Sequence, residues 1–120
     1  MYNVQVLTTF EASHAVTIAG IPEEPHQHNW KVRASLQGER LDSDGLLIDF
    51  IRIEKYLNEI TRPFEGADLN NCNALEGKNP SAEIIARYIF DELEKKVQEK
   101  VQVTSITITE APNCEATYTP

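Results

Sequence analysis

The stretch His26-Gln27-His28-Asn29-Trp30 opens a run in which apolar and polar side chains alternate as far as Leu36. Successive side chains of a β-strand point to opposite faces. His26 and His28 are therefore predicted to project from the same apolar face, about 7 Å apart along the strand. Two imidazoles at this spacing can bind one metal ion. The pattern predicts a strand that carries two metal ligands at its beginning.

A second alternating run, Tyr2 to His14, comes earlier in the chain and ends in the only other histidine. The segment Val16 to Pro25 contains glycine and proline breakers and is predicted to be a loop joining the two strands as an antiparallel pair. All three histidines then lie at the loop end of the pair, on its apolar face. Three histidines with an open fourth position are typical of catalytic zinc, so His14, His26 and His28 are the candidate zinc ligands. The alternative is that each histidine is an ordinary surface or hydrogen-bonded residue.

The remaining sequence predicts two helices and then two more strands. Apolar residues recur at helical spacing over Phe50 to Thr61, with Asp49 in the N-cap position, and again after Asn79-Pro80-Ser81. Val101 to Thr109 consists of strong β-formers, and Glu115 to Tyr118 is a short last strand. The order β-β-α-α-β-β predicts an α+β fold, in which two helices cover one face of a four-stranded antiparallel sheet.

Glu110 is a candidate binding residue at the end of the third predicted strand. It continues the apolar face formed by Ile106 and Ile108. A half-buried carboxylate at that position needs a partner, which can be a protein cation or an N–H group of a ligand.

Composition limits the possible functions. A chain of 120 residues is expected to form one domain, residues 1–120. Its net charge of −8 argues against a nucleic-acid partner. No stretch is apolar enough to span a membrane and no export signal is visible, so a cytoplasmic protein is expected, with Cys72 and Cys114 as reduced thiols. Either thiol could be a nucleophile, but an inert cysteine is the favoured interpretation.

Six motifs in order resemble the 6-pyruvoyltetrahydropterin synthase and 6-carboxytetrahydropterin synthase family over nearly the whole chain. They are FEASH (10–14), HQHNW (26–30), GLLIDF (45–50), LNN (69–71), NPSAE (79–83) and the spacing from Glu110 to Tyr118. The resemblance implies the tunnelling fold, in which subunits form trimers around a closed barrel and stack as homohexamers. It also implies active sites between subunits, zinc on the three histidines, and Glu110 as the residue that grips the N–H edge of a pterin ring.

The sequence departs from the family at several positions. Pro22 stands where the main branches carry a catalytic cysteine, and Glu65 and Gly66 stand where an Asp-His pair is expected. Since all three histidines are candidate metal ligands, the usual Cys-His-Asp relay cannot be assembled. Gln27 replaces the glycine between the two ligand histidines.

Glu23 is a candidate replacement for part of the missing Cys-His-Asp relay. It lies three residues before His26, and one branch of the family is similar in carrying a glutamate instead of the cysteine. That branch cleaves the dihydroneopterin side chain to a 6-hydroxymethyl product. Glu23 is therefore the candidate catalytic base. A solvated loop tip formed by Glu23 and Glu24 is the other interpretation, which the pattern slightly favours.

Three functional hypotheses follow. The first is a zinc-dependent pterin lyase or synthase acting on the side chain of a dihydroneopterin-type substrate. The second is a pterin- or purine-binding homologue with an intact zinc site but impaired catalysis. The third is an unrelated metal protein such as a cupin, which is disfavoured because no glutamate follows His28 at the short spacing such a site needs.

Overall fold

Two long antiparallel strands, β1 (Tyr2–His14) and β4 (His26–Gly38), form the centre of the computed structural model, which describes residues 1–97 and 100–120. Their Cα pairs run without a register shift from Tyr2↔Gly38 to His14↔His26. Alternate side chains of β1 are buried or half-buried from Val4 onwards. This alternation confirms the apolar face predicted from the sequence.

Two helices pack against the apolar face of the sheet and share one hydrophobic core with it. Helix α1 (Phe50–Thr61) begins after Asp49, whose side chain accepts a hydrogen bond from the Ile51 N–H. Helix α2 (Ala82–Lys96) begins after Ser81, which accepts one from the Ile84 N–H. Each cap satisfies a backbone donor that the first helical turn leaves free. Neither helix in the described part of the chain is long and apolar enough to cross a membrane.

The sheet has five strands rather than the predicted four. Strands β6 (Gln102–Ala111) and β7 (Cys114–Tyr118) extend it on one side, and β5 (Ala67–Asp68) adds to the other, giving the order β5-β1-β4-β6-β7. Strand β5 runs parallel to β1, so the sheet is mixed and not wholly antiparallel. Two residues are too few to show an alternating pattern, which is why the sequence predicted only a loop there.

The predicted loop after β1 contains a small hairpin. Strand β2 (Thr17–Ile18) pairs with β3 (Ile21–Pro22), and the two turn residues Ala19 and Gly20 both have positive φ angles, of 52° and 80°. Positive φ at both central positions defines the type I′ turn that joins tightly paired strands. The hairpin therefore gives a defined shape to the loop that joins β1 to β4.

Strand β6 contains two register shifts that change the direction of its side chains. The register with β4 shifts between Ser35 and Leu36, so that Thr104 is an extra residue and Val103 is buried on the same face as Ile106. A second shift skips Glu110 in the pairing with β7. Such bulges redirect side chains locally, and they often occur at functional sites.

Candidate functional site

The register of β1 and β4 brings the three histidines together. His14 lies directly opposite His26, and His28 lies opposite Ala12, one alternate position further along the same face. Side chains at directly opposite and diagonal positions of a ladder are close enough to interact. The ring centroids are 4.6 Å apart for His14 and His26, 4.4 Å for His26 and His28, and 5.4 Å for His14 and His28.

Backbone carbonyls orient two of the imidazoles. The Nδ1 of His14 is 2.8 Å from the Pro80 carbonyl oxygen, and the Nδ1 of His26 is 2.9 Å from that of Glu24. Since a carbonyl only accepts, each Nδ1 donates its proton to the carbonyl, and the Nε2 atoms of both rings point toward each other. These two Nε2 atoms are 2.9 Å apart. Two ring nitrogens at that distance need a shared proton or cation between them.

His28 completes the cluster. Its Nε2 atom is buried and has no hydrogen-bond partner among the described residues. Burial lowers the pKa of His28 below its ordinary 6.5, Glu110 opposes this effect, and the neighbouring rings of His26 and His14 reinforce it. The ring is therefore neutral near pH 7, which is the state that binds a metal.

Glu110 reaches the same cluster from β6. Its Oε1 is 3.1 Å from the His14 Nε2, and its Oε2 is 3.9 Å from the His28 Nε2. One donor atom from each of His14, His26, His28 and Glu110 lies within 4.8 Å of the other three. Imidazole and carboxylate donors that converge in this way, with carbonyls orienting the outer ring nitrogens, fit zinc.

Trp30 follows the histidines on the same face of β4 and packs against two of their rings. Its ring is fully buried, with centroids 4.7 Å from His14 and 5.6 Å from His28. The indole N–H donates to the Ala12 carbonyl at 3.1 Å, so its one polar group is satisfied. This side of the site is therefore closed to solvent.

A cavity of about 480 Å³ lies beside the cluster. Its lining residues come from the hairpin loop, the start of α2 and the β6–β7 turn: Val16, Ile18, Glu23, Ser81, Ala82, Glu83, Glu110, Cys114, Glu115 and Ala116. Its size suits a small organic ligand. Because Glu110 both lines the cavity and contacts His14, a ligand in the cavity would lie next to the histidines.

Glu23 and Glu24 occupy different environments. The Glu23 carboxylate lines the cavity, where its Oε1 accepts the Val16 N–H at 2.9 Å and lies 3.7 Å from the His26 Nε2. Glu24 is exposed and contributes its backbone carbonyl to His26. Glu23 is therefore placed at the site, although its catalytic role remains a prediction.

Glu65 and Gly66, which occupy the Asp-His positions of the resembled family, hold β1 instead. The Glu65 carboxylate accepts the Glu11 N–H at 3.0 Å, and the Gly66 N–H donates to the Glu11 carbonyl at 2.7 Å. Neither residue is among the described residues that line the cavity. Within one subunit, the missing relay is not replaced by these two residues.

Two asparagines that the sequence did not link to the site hold the chain immediately after His14. One of them, Asn79, was a candidate helix cap, but Ser81 is the residue that caps α2. Asn70 accepts from the N–H and donates to the carbonyl of Ala15, both at 2.8 Å. Asn79 makes the same pair of hydrogen bonds with Thr17, both at 2.9 Å. Asn79 also precedes Pro80, whose carbonyl orients His14. The LNN and NPSAE motifs contained these residues, but the motifs alone did not reveal this role.

The fold and the site together define a small α+β protein with a three-histidine cluster at the end of its central strand pair. A model of the family described as 6-pyruvoyl tetrahydropterin synthase matches residues 3–120. The chain belongs to this family, as the motifs in the sequence predicted.

Individual proteins that resemble this chain are consistent with its membership of the family. The chain is 28% identical over 93 residues to a protein of Archaeoglobus fulgidus named provisionally as a 6-carboxy-5,6,7,8-tetrahydropterin synthase, covering 78% of this chain and 76% of that protein. The structure of 6-pyruvoyl tetrahydropterin synthase from Caenorhabditis elegans superposes with a TM-score of 0.86 at 18% identity, covering 99% of this chain and 95% of that one. A Plasmodium vivax 6-pyruvoyltetrahydropterin synthase variant, in which alanine replaces a catalytic glutamate, gives a TM-score of 0.78 at 19% identity, covering 98% of both chains.

Proposed function

We propose that the protein is a zinc-dependent pterin lyase or synthase that acts on the side chain of a dihydroneopterin-type substrate, in the manner of 6-pyruvoyl- or 6-carboxytetrahydropterin synthase. The observation that carries this proposal is the 2.9 Å contact between the Nε2 atoms of His14 and His26, beside the unpartnered Nε2 of His28. These three residues would hold the zinc. When bound, zinc supplies a Lewis acid for oxygen atoms of the substrate side chain.

Glu110 is the proposed pterin anchor. Its carboxylate lines the cavity and is 29% exposed, so it can accept hydrogen bonds from the N–H edge of a ring bound there. Fixing the ring in the cavity holds the substrate side chain next to the histidines. Trp30 excludes water from the opposite side.

Glu23 is the proposed general base. Its carboxylate faces the same cavity as Glu110 and lies beside His26, so it can remove or return a proton on the substrate side chain. The catalytic glutamate of the Plasmodium vivax enzyme supports this assignment. A base of this kind would permit cleavage of the side chain to a 6-hydroxymethylpterin.

The second candidate is a catalytically impaired homologue that binds a pterin or purine and keeps the zinc site. The position of Glu65 favours it, because its carboxylate is bound to the Glu11 N–H and not directed into the cavity. We further propose a homohexamer built as a dimer of trimers, located in the cytoplasm, where the free thiols of Cys72 and Cys114 would stay reduced.

Metal analysis and product analysis test the proposal together. We expect about one zinc per subunit in the wild type and loss of that zinc in His28→Ala. Zinc retained unchanged by His28→Ala would remove the metal assignment. Wild-type protein incubated with 7,8-dihydroneopterin or its triphosphate should yield a 6-pyruvoyl, 6-carboxy or 6-hydroxymethyl product, identified by mass spectrometry. Pterin binding without any product would favour the second candidate.

The matched pair Glu23→Gln and Glu24→Gln tests the base. Glu23→Gln should lower turnover by about 10²- to 10⁴-fold without abolishing pterin binding, because general bases contribute on this order. Glu24→Gln makes the same charge change at an exposed neighbour and should leave turnover unchanged. Equal turnover in both variants would leave the proposed reaction without its base.

A further inference from the structure

The segment 15–17, directly after His14, is held at every backbone N–H and C=O group by residues elsewhere in the chain. Asn70 binds both groups of the first residue, and Asn79 binds both groups of the third. Glu23 binds both groups of the middle residue. Three residues therefore fix the start of the loop that joins the two histidine-bearing strands.

Glu23 and Val16 form a clamp of two hydrogen bonds. The Glu23 N–H donates to the Val16 carbonyl at 3.0 Å, and the Glu23 Oε1 accepts the Val16 N–H at 2.9 Å. The two residues lie on either side of the β2–β3 hairpin. A carboxylate acceptor makes a stronger hydrogen bond than a neutral one. Because both bonds lie within one loop of one subunit, the clamp does not require a neighbouring chain.

The residue after Glu23 orients one of the proposed zinc ligands. The Glu24 carbonyl accepts a hydrogen bond from the His26 Nδ1 at 2.9 Å. Outer hydrogen bonds of this kind set the direction of a metal-binding imidazole. Since the peptide bond between Glu23 and Glu24 is planar and rigid, the clamp on Glu23 also restricts the position of this carbonyl.

We infer that Glu23 is a positioning residue for the metal site, in addition to its proposed role as a base. Its bond to Val16 holds the Glu24 carbonyl against His26 and so keeps the His26 Nε2 directed at the other histidines. A carboxylate has two oxygens that can accept several hydrogen bonds, so the bond to Val16 leaves capacity for a substrate proton. The inference rests on the proposed zinc site and holds with or without the pterin reaction.

The zinc affinity of two Glu23 variants, measured by competition with a chelator, tests the inference. Glu23→Ala removes the acceptor for the Val16 N–H. We expect it to bind zinc about ten-fold more weakly, because outer contacts of metal ligands typically contribute about 10- to 100-fold. Glu23→Gln keeps an oxygen acceptor and should restore the affinity to within about three-fold of the wild type. Equal weakening in both variants, or none in Glu23→Ala, would overturn the inference. A wild type that binds no zinc would refute the metal site, and this inference with it.

Glu24→Ala is the matched control. It removes the same charge and the same length of side chain from the exposed neighbour, and it keeps the carbonyl that binds His26. Its zinc affinity should remain at the wild-type level. A loss as large as that of Glu23→Ala would assign the effect to negative charge near the site and overturn the positioning role.

Amide hydrogen exchange in the metal-free protein measures the clamp directly. The Val16 N–H should exchange about ten-fold or more faster in Glu23→Ala than in the wild type, and Glu23→Gln should restore its protection. The Val32 N–H, which lies in the central ladder, is the reference for global unfolding. Equal protection of Val16 in all three proteins would show that the carboxylate does not hold the loop, and would overturn the inference.

Discussion

Glu110 makes contacts on two sides, because its carboxylate lies 3.1 Å from the His14 Nε2 and also lines the cavity. Glu110→Gln preserves the size of the side chain but removes its charge. A hydrogen bond to a charged group contributes about 1.5 to 3 kcal/mol, so pterin binding should weaken roughly ten- to hundred-fold. Zinc content should stay at the wild-type level, because the histidines alone are the proposed ligands. Parallel loss of zinc would instead make Glu110 a metal ligand.

His28 makes the stability of the metal-free protein depend on pH. Because burial lowers the pKa of His28 in the folded state below 6.5, the ring is neutral in both states above that pH and contributes nothing there. As the pH falls below 6.5, the unfolded chain binds the proton first and the free energy of unfolding decreases. This loss levels off once the pH passes the folded-state pKa.

Denaturant unfolding of the metal-free wild type and of His28→Gln, measured at several pH values from about 7.5 down to 5, checks this dependence. The difference between the two stability curves isolates His28 from the many carboxylates. We expect the wild type to lose more stability than the variant on acidification. A constant difference across the range would contradict the assigned shift.

The histidine cluster could be predicted because its geometry follows from strand alternation and from a single hairpin pairing. The residues that orient the cluster could not be predicted in this way. The contacts of Asn70, Asn79 and Pro80 join residues 55, 62 and 66 positions apart in the chain. Local periodicity contains no information about such contacts, and asparagine near a helix start is more simply read as a cap.

Among the elements, β1 and α1 match their predicted bounds, because each is long enough for its periodicity to show and has a clear end residue. Strand β4 begins at the predicted His26 but continues to Gly38, beyond the predicted alternation. The strands that were missed have two residues each: β2, β3 and β5. Three single turns of 3-10 helix, at Arg62–Phe64, Leu69–Asn71 and Asn73–Leu75, were missed as well. The bulge at Thr104 could not be predicted from the sequence either. It changes which side chains of β6 share a face, but the residues around it are still typical strand formers. Short pairings and bulges depend on the neighbouring strand and not on their own sequence.

Asn79 connects the hairpin loop to the start of α2, and Asn79→Asp tests that connection. The aspartate can still accept the Thr17 N–H, but its second oxygen faces the Thr17 carbonyl, where Asn79 donated a hydrogen bond. We expect unfolding to require about 1 kcal/mol less free energy, the typical net contribution of one hydrogen bond. Zinc affinity should also fall, because the next residue, Pro80, orients His14.

Urea denaturation and zinc competition with a chelator measure these two effects. Asn73→Asp serves as the control, because Asn73 is exposed and makes no side-chain hydrogen bond with the described residues. It introduces the same charge a few residues away. If Asn79→Asp behaves like this control, the asparagine does not position the site.

At the scale of the whole molecule, the sheet of a single subunit has two open edges. Strand β5 covers β1 only at Ala12 and Ser13, and among the described residues no other strand pairs with the earlier part of β1 on that side. Strand β7 forms the opposite edge. Unpaired strand edges favour association with another chain. The exposed apolar side chains of Leu46, Phe50 and Ile51 could also be buried by association with another chain.

We expect a homohexamer, because closure of these edges between subunits would satisfy the backbone of both strands. Sedimentation equilibrium at micromolar concentration should give about six times the 13.6 kDa of one chain. A stable monomer would contradict the assembly and would also confine the active site to one subunit.

The thirteen-residue ladder of β1 and β4 also bears on how the chain folds. His14 and His26 pair at its loop end, 12 positions apart in the chain, whereas Tyr2 and Gly38 pair at the far end. Closing a short loop costs less entropy than closing a long one, so pairing should begin at the histidines and proceed toward the termini. A slip of one residue would send one histidine of the pair to the opposite face. We therefore expect the proposed metal site to form where folding begins, so that a divalent cation present then would select the native register before the helices dock.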